Sequence, residues 1–378
     1  MKIAVIHNLV EGGARRRLAE QVTALDAEVV EFTTSQAVPV TARPYVVPLR
    51  LVAQRLPAVL RPPQRVLDVR RLRSVWAELG TMAERSGADV IFANPDSVLR
   101  GAVPLGTRAV PIIRYCDEPR RIDYEPALRA SLNPRTRALY AGLRRLERRT
   151  DRAGIAEASL LATNSRYTAA GIQRAYGRNA EVLPCGAPER MTPDGSHPRH
   201  LLSVGSLIPS KGHDLAITAA ARCGLGLPLV VVAYRDVPSE RDRLTRLAAQ
   251  HGVDLRIRTA VGDDELISLY RAAYATLYLA AAEPLGLVSL EAQACGSPVV
   301  VSGEGGLPET VADGVGGFVV SRDADAAAAA LARIAEDRPA LSRAAASSVT
   351  EHSWKLSAAR LVALATDLAA RNPVRAIA

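Results

Sequence analysis

Residues Glu283 to Pro308 read EPLGLVSLEAQACGSPVVVSGEGGLP, and the fold turns on this stretch. Two carboxylates, Glu283 and Glu291, stand eight positions apart, with Gly286 and an apolar run between them. Upstream, YATLYLA (Tyr274 to Ala280) reads as a buried strand. Downstream, SPVVVSG (Ser297 to Gly303) reads as another. Strand, glycine turn, helix and strand make an α/β crossover unit, and ligands bind beyond the ends of its strands. Glu283 then sits in the loop after the first strand. Gly286 to Val288 open the helix, where backbone N–H groups without helical partners suit an anion. Glu291 falls about one turn into that helix, near the same mouth.

The same alternation runs through the rest of the chain. In the second half, RHLLSVGSL (Arg199 to Leu207) is a strand with Gly205 at its end, followed by Lys211-Gly212 and the helix DLAITAAARC. LPLVVVAY, VDLRIR and GGFVV are further strands. In the first half, KIAVIHN (Lys2 to Asn8), Glu28 to Phe32, Tyr45 to Pro48, ADVIFAN (Ala88 to Asn94) and RAVPIIRYC (Arg108 to Cys116) read the same way. Strands alternating with helices predict a mostly parallel sheet covered on both faces. MTPDGSHPRH (Met191 to His200), polar and rich in turn residues, reads as an interdomain linker. The expected class is α/β, with two Rossmann-like doubly wound domains at 1–192 and 199–353.

A chain of 378 residues suits two domains. Its apolar content of 48% with only 4% aromatics predicts a core of Ala, Val and Leu. The formal charge of +9 admits solvated helix faces, an acidic substrate or an anionic membrane surface. No zinc-finger or RNA-recognition signature is present, so no nucleic-acid partner is expected. From Leu49 to Glu84, Leu, Val and Arg recur at helical spacing, and Pro62-Pro63 should divide the stretch into two helices. Its apolar stripe packs inward or lies on an anionic membrane, which leaves peripheral membrane contact open. Cys116, Cys185, Cys223 and Cys295 lack metal or disulfide spacing and read as reduced thiols. With no signal pattern and no run of about 18 apolar residues, a cytoplasmic location is expected.

Several residues carry candidate chemistry. Lys211, just past a glycine turn, is a natural partner for a phosphate oxygen, or a surface lysine. Glu291 and Glu283 suit vicinal hydroxyls, of a ribose and of a sugar. Paired carboxylates also serve hydrolysis, but the phosphate-friendly surroundings fit a nucleotide-sugar donor better. Gly12-Gly13 after the first strand allow close approach of a ligand, or form a simple tight turn. Asp117, directly after a buried strand, is a site residue or a helix cap. Metal-ligand spacing is absent among the six histidines, and Asp323 and Asp325 form a D-x-D only beyond the last strand.

Taken together, the chain resembles the GT-B fold, retaining nucleotide-sugar glycosyltransferases of the family 4 group (glycosyl transferases group 1). EPLGLVSLE resembles that family's E-x7-E motif, VGSLIPSKGHDLAI its donor-phosphate loop, and NSRYTAAGIQRAYG its segment before the linker. HSWKLSAARLVAL resembles the C-terminal helix that crosses back onto the first domain, here 355–378. The resemblance implies two domains facing across a cleft. It implies donor contacts from Gly12, Gly13, Gly205, Ser206, Lys211, Gly286, Leu287, Val288 and Glu291, and a catalytic neighbourhood around Glu283 and Asp117. It also implies transfer of a hexose without a metal ion or a cofactor beyond the co-substrate. Two positions depart from the pattern. Ser206 stands where an arginine usually shares the diphosphate, and Asp117 in YCDEPRR stands where histidine is usual. The departure at Asp117 favours a small-molecule acceptor of a specialised pathway, such as natural-product biosynthesis, while Ser206 puts the charge on the diphosphate in question. Both also keep open a non-catalytic nucleotide-sugar-binding protein; a nucleotide-sugar epimerase is the other alternative.

Overall fold

The computed structural model describes residues 1–53, 61–107, 109–125 and 133–371. The chain divides into two compact units. The first comprises Met1–Asn164, Thr168–Leu183 and Ser357–Ala378; the second comprises Ser165–Tyr167 and Pro184–Leu356. Each is a parallel sheet with helices, so the α/β reading holds.

The first sheet contains β1 (Lys2–Asn8), β2 (Glu28–Thr34), β3 (Tyr45–Val47), β4 (Val90–Asp96), β5 (Ile112–Tyr115), β6 (Leu160–Thr163) and β7 (Glu181–Val182). Their order is β3-β2-β1-β4-β5-β6-β7, all parallel. The chain winds outward from β1 to β3, then returns to place β4 on the other side of β1. That reversal is the topological switch point, where strand ends leave a crevice. Successive side chains of a strand face opposite sides. Ala4 and Ile6 therefore join one apolar cluster, and Ile3 and Val5 the other. Two buried faces explain why β1 reads as an unbroken apolar run.

One cluster takes its cover from the helix Arg61–Arg85, through Leu72, Trp76, Leu79 and Ala83. It is the second of the two helices expected from this stretch. Pro62 and Pro63 stand in its first turn, where a missing N–H costs no helical hydrogen bond, and so mark its start. Of the earlier part of that stretch, residues 54–60 lie outside the described residues. Val69, Leu72, Trp76, Leu79 and Ala83 of its apolar stripe are buried, while Leu67 is exposed. The opposite cluster takes Leu18 from the helix Gly13–Thr23, and Leu361 and Ala365 from the helix Trp354–Ala370.

The second sheet contains β8 (His200–Val204), β9 (Leu229–Ala233), β10 (Leu255–Thr259), β11 (Ala273–Tyr278), β12 (Val299–Ser302) and β13 (Gly317–Val320). Its order is β10-β9-β8-β11-β12-β13, again parallel, with the switch point between β8 and β11. Leu229, Val231 and Ala233 face one cluster; Val230 and Val232 face the other. Met191 does not behave as a linker residue. It is buried in the second unit's core, and the Arg271 guanidinium donates to the Thr192 carbonyl at 2.7 Å. The chain enters the second unit at Pro184, ahead of the 192 boundary read from the sequence, because burying Cys185 and Met191 outweighs the polar composition that follows. Asp323, one half of the D-x-D, caps the helix Ala324–Glu336 by accepting from the Ala326 N–H at 2.8 Å.

Trp76 is fully buried and its indole N–H donates to Asp96 at 3.3 Å. Trp76→Ala should destabilise the first unit by about 3–5 kcal/mol in chemical denaturation, the usual cost of emptying an aromatic core site. A loss below about 1 kcal/mol would mean that the helix does not pack on the sheet as described.

Candidate active site

In the second unit, the loops after β8 and β11 leave the sheet on either side of the switch point. They carry Gly205 to Gly212 and Leu279 to Gly286. The Lys211 ammonium donates to Glu283 Oε2 at 2.7 Å and to the Tyr278 hydroxyl at 3.2 Å. Lys211 and Glu283 are each 20% exposed, enough to reach a ligand and too little for full hydration. Burial, reinforced by the neighbouring Glu283 carboxylate, pushes the Tyr278 phenol well up, so it stays a neutral hydroxyl. Glu291 also acts on that phenol electrostatically, which places both glutamates around Tyr278.

Local geometry forces this meeting. The Ala281 N–H donates to the Ser210 carbonyl at 2.8 Å and ties the two loops together. Gly212 has φ +71°, and a Cβ there would run into the Leu279 carbonyl. Gly286 has φ +111°, and a Cβ there would strike the Leu307 side chain. The loop contact at Gly212 needs glycine for its closeness to backbone, and Gly286 needs it for its positive φ. The aliphatic stem of Lys211 packs on Gly205. Ala282, just before Glu283, holds φ +47°, a strained value for a residue with a side chain.

The helix Leu287–Ala294 starts directly after Gly286. The amides of Leu287 and Val288 lie in its first turn, where no carbonyl four residues back belongs to the helix. Glu291 is deeper than the sequence implied. It is 3% exposed and accepts from the Tyr270 hydroxyl at 3.0 Å. Ser206 offers no charge. Its carbonyl lies 3.3 Å from His213 Nε2, and Ser203 Oγ lies 2.9 Å from His213 Nδ1. Arg235, at the end of β9, is exposed, and its carbonyl accepts from the Leu207 N–H at 3.0 Å. The next-door Tyr234 is 52% exposed.

In the first unit, Gly12 and Gly13 sit between β1 and the helix Gly13–Thr23, with open space around both. Asp117 follows β5 and does not cap a helix through any described hydrogen bond. Its Oδ1 accepts from Arg17 Nε at 3.1 Å, and its carbonyl accepts from the Asn164 amide at 3.0 Å. Arg17, Tyr270, Tyr278, His213 and Arg235 escaped the sequence reading. The i,i+4 pair Arg17–Gln21 was a signal for the first; aromatics within apolar runs gave none for the tyrosines. Among the described residues, no group of three or more His, Cys, Asp or Glu is placed to hold a metal ion.

Burial pulls the His213 imidazole down to about 4. Its folded value lies below the ordinary value of about 6.5. The stabilisation from the neutral ring is therefore complete above that pH and is lost as pH falls toward 4. His213→Gln should flatten the loss of thermal stability over that window; His200 and His352, also held low by burial, remain in the variant. An unchanged slope would contradict this assignment.

Residues 193–349 match the family described as glycosyl transferases group 1. The D-inositol 3-phosphate glycosyltransferase of Mycolicibacterium smegmatis is 37% identical over 183 residues, covering 45% of this chain and 41% of that protein. The protein of the same name from Geodermatophilus obscurus is 36% identical over 242 residues, covering 57% and 54%. The chain thus spans about half, or less, of these relatives' length. Among solved structures, sucrose-phosphate synthase from Thermosynechococcus elongatus superposes with TM-score 0.73 at 21% identity, covering 98% of this chain and 99% of that one. Anabaena HepE in complex with UDP-glucose gives 0.70 at 18%, covering 97% and 100%. Identities this low speak for the fold alone. The sheet order and the loops at the switch point agree with these structures: the fold is that of the GT-B glycosyltransferases, and residues 193–349 are similar to the glycosyl transferases group 1.

Proposed function

We propose that the protein is a retaining glycosyltransferase that moves a hexose from a nucleotide-diphosphate sugar to a small-molecule acceptor. The observation that carries this reading is the Lys211–Glu283–Tyr278 cluster at the second switch point. An ammonium shared with one carboxylate is a charge that can be redirected. On donor binding, Lys211 turns from Glu283 to the diphosphate, joined by the amides of Leu287 and Val288 and the positive end of their helix. Glu283, released, accepts from hydroxyls of the transferred sugar. Glu291, with one oxygen held by Tyr270, accepts from the ribose. The Glu283 carboxylate offsets part of the attraction Lys211 exerts on an anion, and Arg235 supplies the cation that Ser206 does not.

Positive charge and dipoles fixed before the reaction stabilise the diphosphate as it leaves, the role a metal ion fills elsewhere. The acceptor attacks the anomeric carbon on the face the diphosphate vacates, and a diphosphate oxygen takes the acceptor's proton. Gly12 and Gly13 give a ligand access to the backbone after β1. For the acceptor, the relatives' names suggest a phosphorylated polyol. A cavity of about 360 Å³ in the first unit supports this choice: Arg137, Arg144, Arg145 and Arg148 line it, and its carboxylate, Asp123, is already paired with Arg120.

Purified protein should be screened with UDP, GDP, ADP and dTDP sugars by thermal shift, then assayed with and without inositol 3-phosphate. One nucleotide class should raise Tm, and transfer should give a product of unchanged anomeric configuration. Arg235→Ala should weaken that nucleotide by about tenfold, the loss of one charge-assisted contact. An epimerised donor without acceptor would identify an epimerase. Donor binding without transfer to any acceptor would favour a non-catalytic binder, and neither binding nor transfer would contradict the reading outright.

A further inference from the structure

Arg17 is only 2% exposed, yet its guanidinium cannot lose its charge in a protein. Nη1 donates to Gln21 Oε1 at 2.6 Å, Nη2 to Asn94 Oδ1 at 2.8 Å and Nε to Asp117 Oδ1 at 3.1 Å. The guanidinium carbon lies 3.7 Å from the Tyr115 ring centroid, a stacking geometry favourable to a cation. Gln21 is itself fixed, since its amide donates to Ser357 Oγ at 2.9 Å. The group is assembled from the helix after β1, the end of β4 and the segment after β5. β1 and β4 flank the first sheet's switch point, so the group sits where that sheet opens a ligand crevice.

Burying such a charge is costly unless a carboxylate answers it, and Asp117 forms an ion pair with it. The side chain of Asp117 is 24% exposed. Its Oδ1 is held by Arg17, while Oδ2 makes no hydrogen bond among the described residues. The arrangement is one anchored oxygen and one presented oxygen.

We propose that Arg17 is a positioning residue that fixes Asp117 as a hydrogen-bond acceptor for a hydroxyl of a sugar or polyol ligand. This inference rests on the glycosyltransferase reading. Holding an acceptor oxygen rigid lowers the entropy lost when a hydroxyl binds it. It also selects against a ligand lacking that hydroxyl, because the carboxylate is then left partly desolvated and unpaired. The hydroxyl belongs either to the transferred sugar or to the acceptor, and kinetics with each substrate varied in turn separates the two.

The test compares Asp117→Asn, Arg17→Met, Arg17→Lys and the Asp117→Asn/Arg17→Met double variant in the full-length protein. Nucleotide-diphosphate thermal shifts come first. They report the Lys211 site, should be unchanged in every variant, and their absence in the wild type would count against the glycosyltransferase reading instead. Asp117→Asn should lower kcat/KM by about tenfold to a hundredfold, the worth of a charge-assisted contact to a ligand. Arg17→Met should match it, and the double variant should be no worse than either, as for residues acting as one unit. Arg17→Lys, which keeps charge without the fork, should recover part of the loss. Whichever substrate's KM moves names the hydroxyl's owner, and its deoxy analogue should be discriminated by the wild type but not by Asp117→Asn. If Arg17→Met folds poorly, the Asp117→Asn and Arg17→Lys kinetics decide. The proposal is overturned if Asp117→Asn leaves kcat, KM and deoxy discrimination unchanged, or if the losses of the two single variants add.

Discussion

The ion pair between Lys211 and Glu283 organises the second unit's mouth. It joins a residue after β8 to one after β11, sixty or more positions apart in sequence, because the sheet order makes those strands neighbours. Doubly wound topology leaves a gap at their ends, and the pair spans it. Gly212, against the Leu279 carbonyl, allows the two loops to come close enough for a 2.7 Å contact. Tyr278 lies beneath the pair as a neutral hydroxyl, and His213 braces the loop carrying Ser206. A cation so held is partly desolvated and already oriented, the condition under which electrostatic stabilisation of a leaving anion is strongest.

The first unit repeats the topology with different chemistry. Its switch point gathers Arg17, Asn94 and Asp117, again a cation against a carboxylate across separate elements. Here the cation is buried and the carboxylate is the reachable partner, while in the second unit both are equally exposed. That difference fits a fixed contact in the first unit and an exchangeable one in the second. Aliphatic packing on both faces of each sheet supplies the rigidity. The alternation of Ile3 and Val5 against Ala4 and Ile6 is the simplest instance.

Much of this was legible in the chain itself, for physical reasons. Strands buried on both faces must be apolar throughout, so KIAVIHN and LPLVVVAY announced a parallel sheet. Ligand loops follow such strands and need glycine, which marked Lys211, Glu283 and Gly286. Other features were hidden because their meaning depends on partners distant in sequence. Arg17 sits in a run of three arginines, and only folding shows that this one faces Asn94 and Asp117. Tyr270 and Tyr278 read as core aromatics because their rings are core; only their hydroxyls reach the glutamates. Met191 was masked by the polar residues that follow it.

The central claim is that Lys211 is held by Glu283 until a diphosphate takes it. Calorimetric titration of the preferred nucleoside diphosphate into Lys211→Ala and Glu283→Gln measures this directly. The account predicts effects of opposite sign. Lys211→Ala should weaken binding by about tenfold or more, while Glu283→Gln, which frees the ammonium and removes a repelling charge, should bind the diphosphate as tightly as the wild type or tighter. Equal weakening by both substitutions, or no effect of Lys211→Ala, would contradict it.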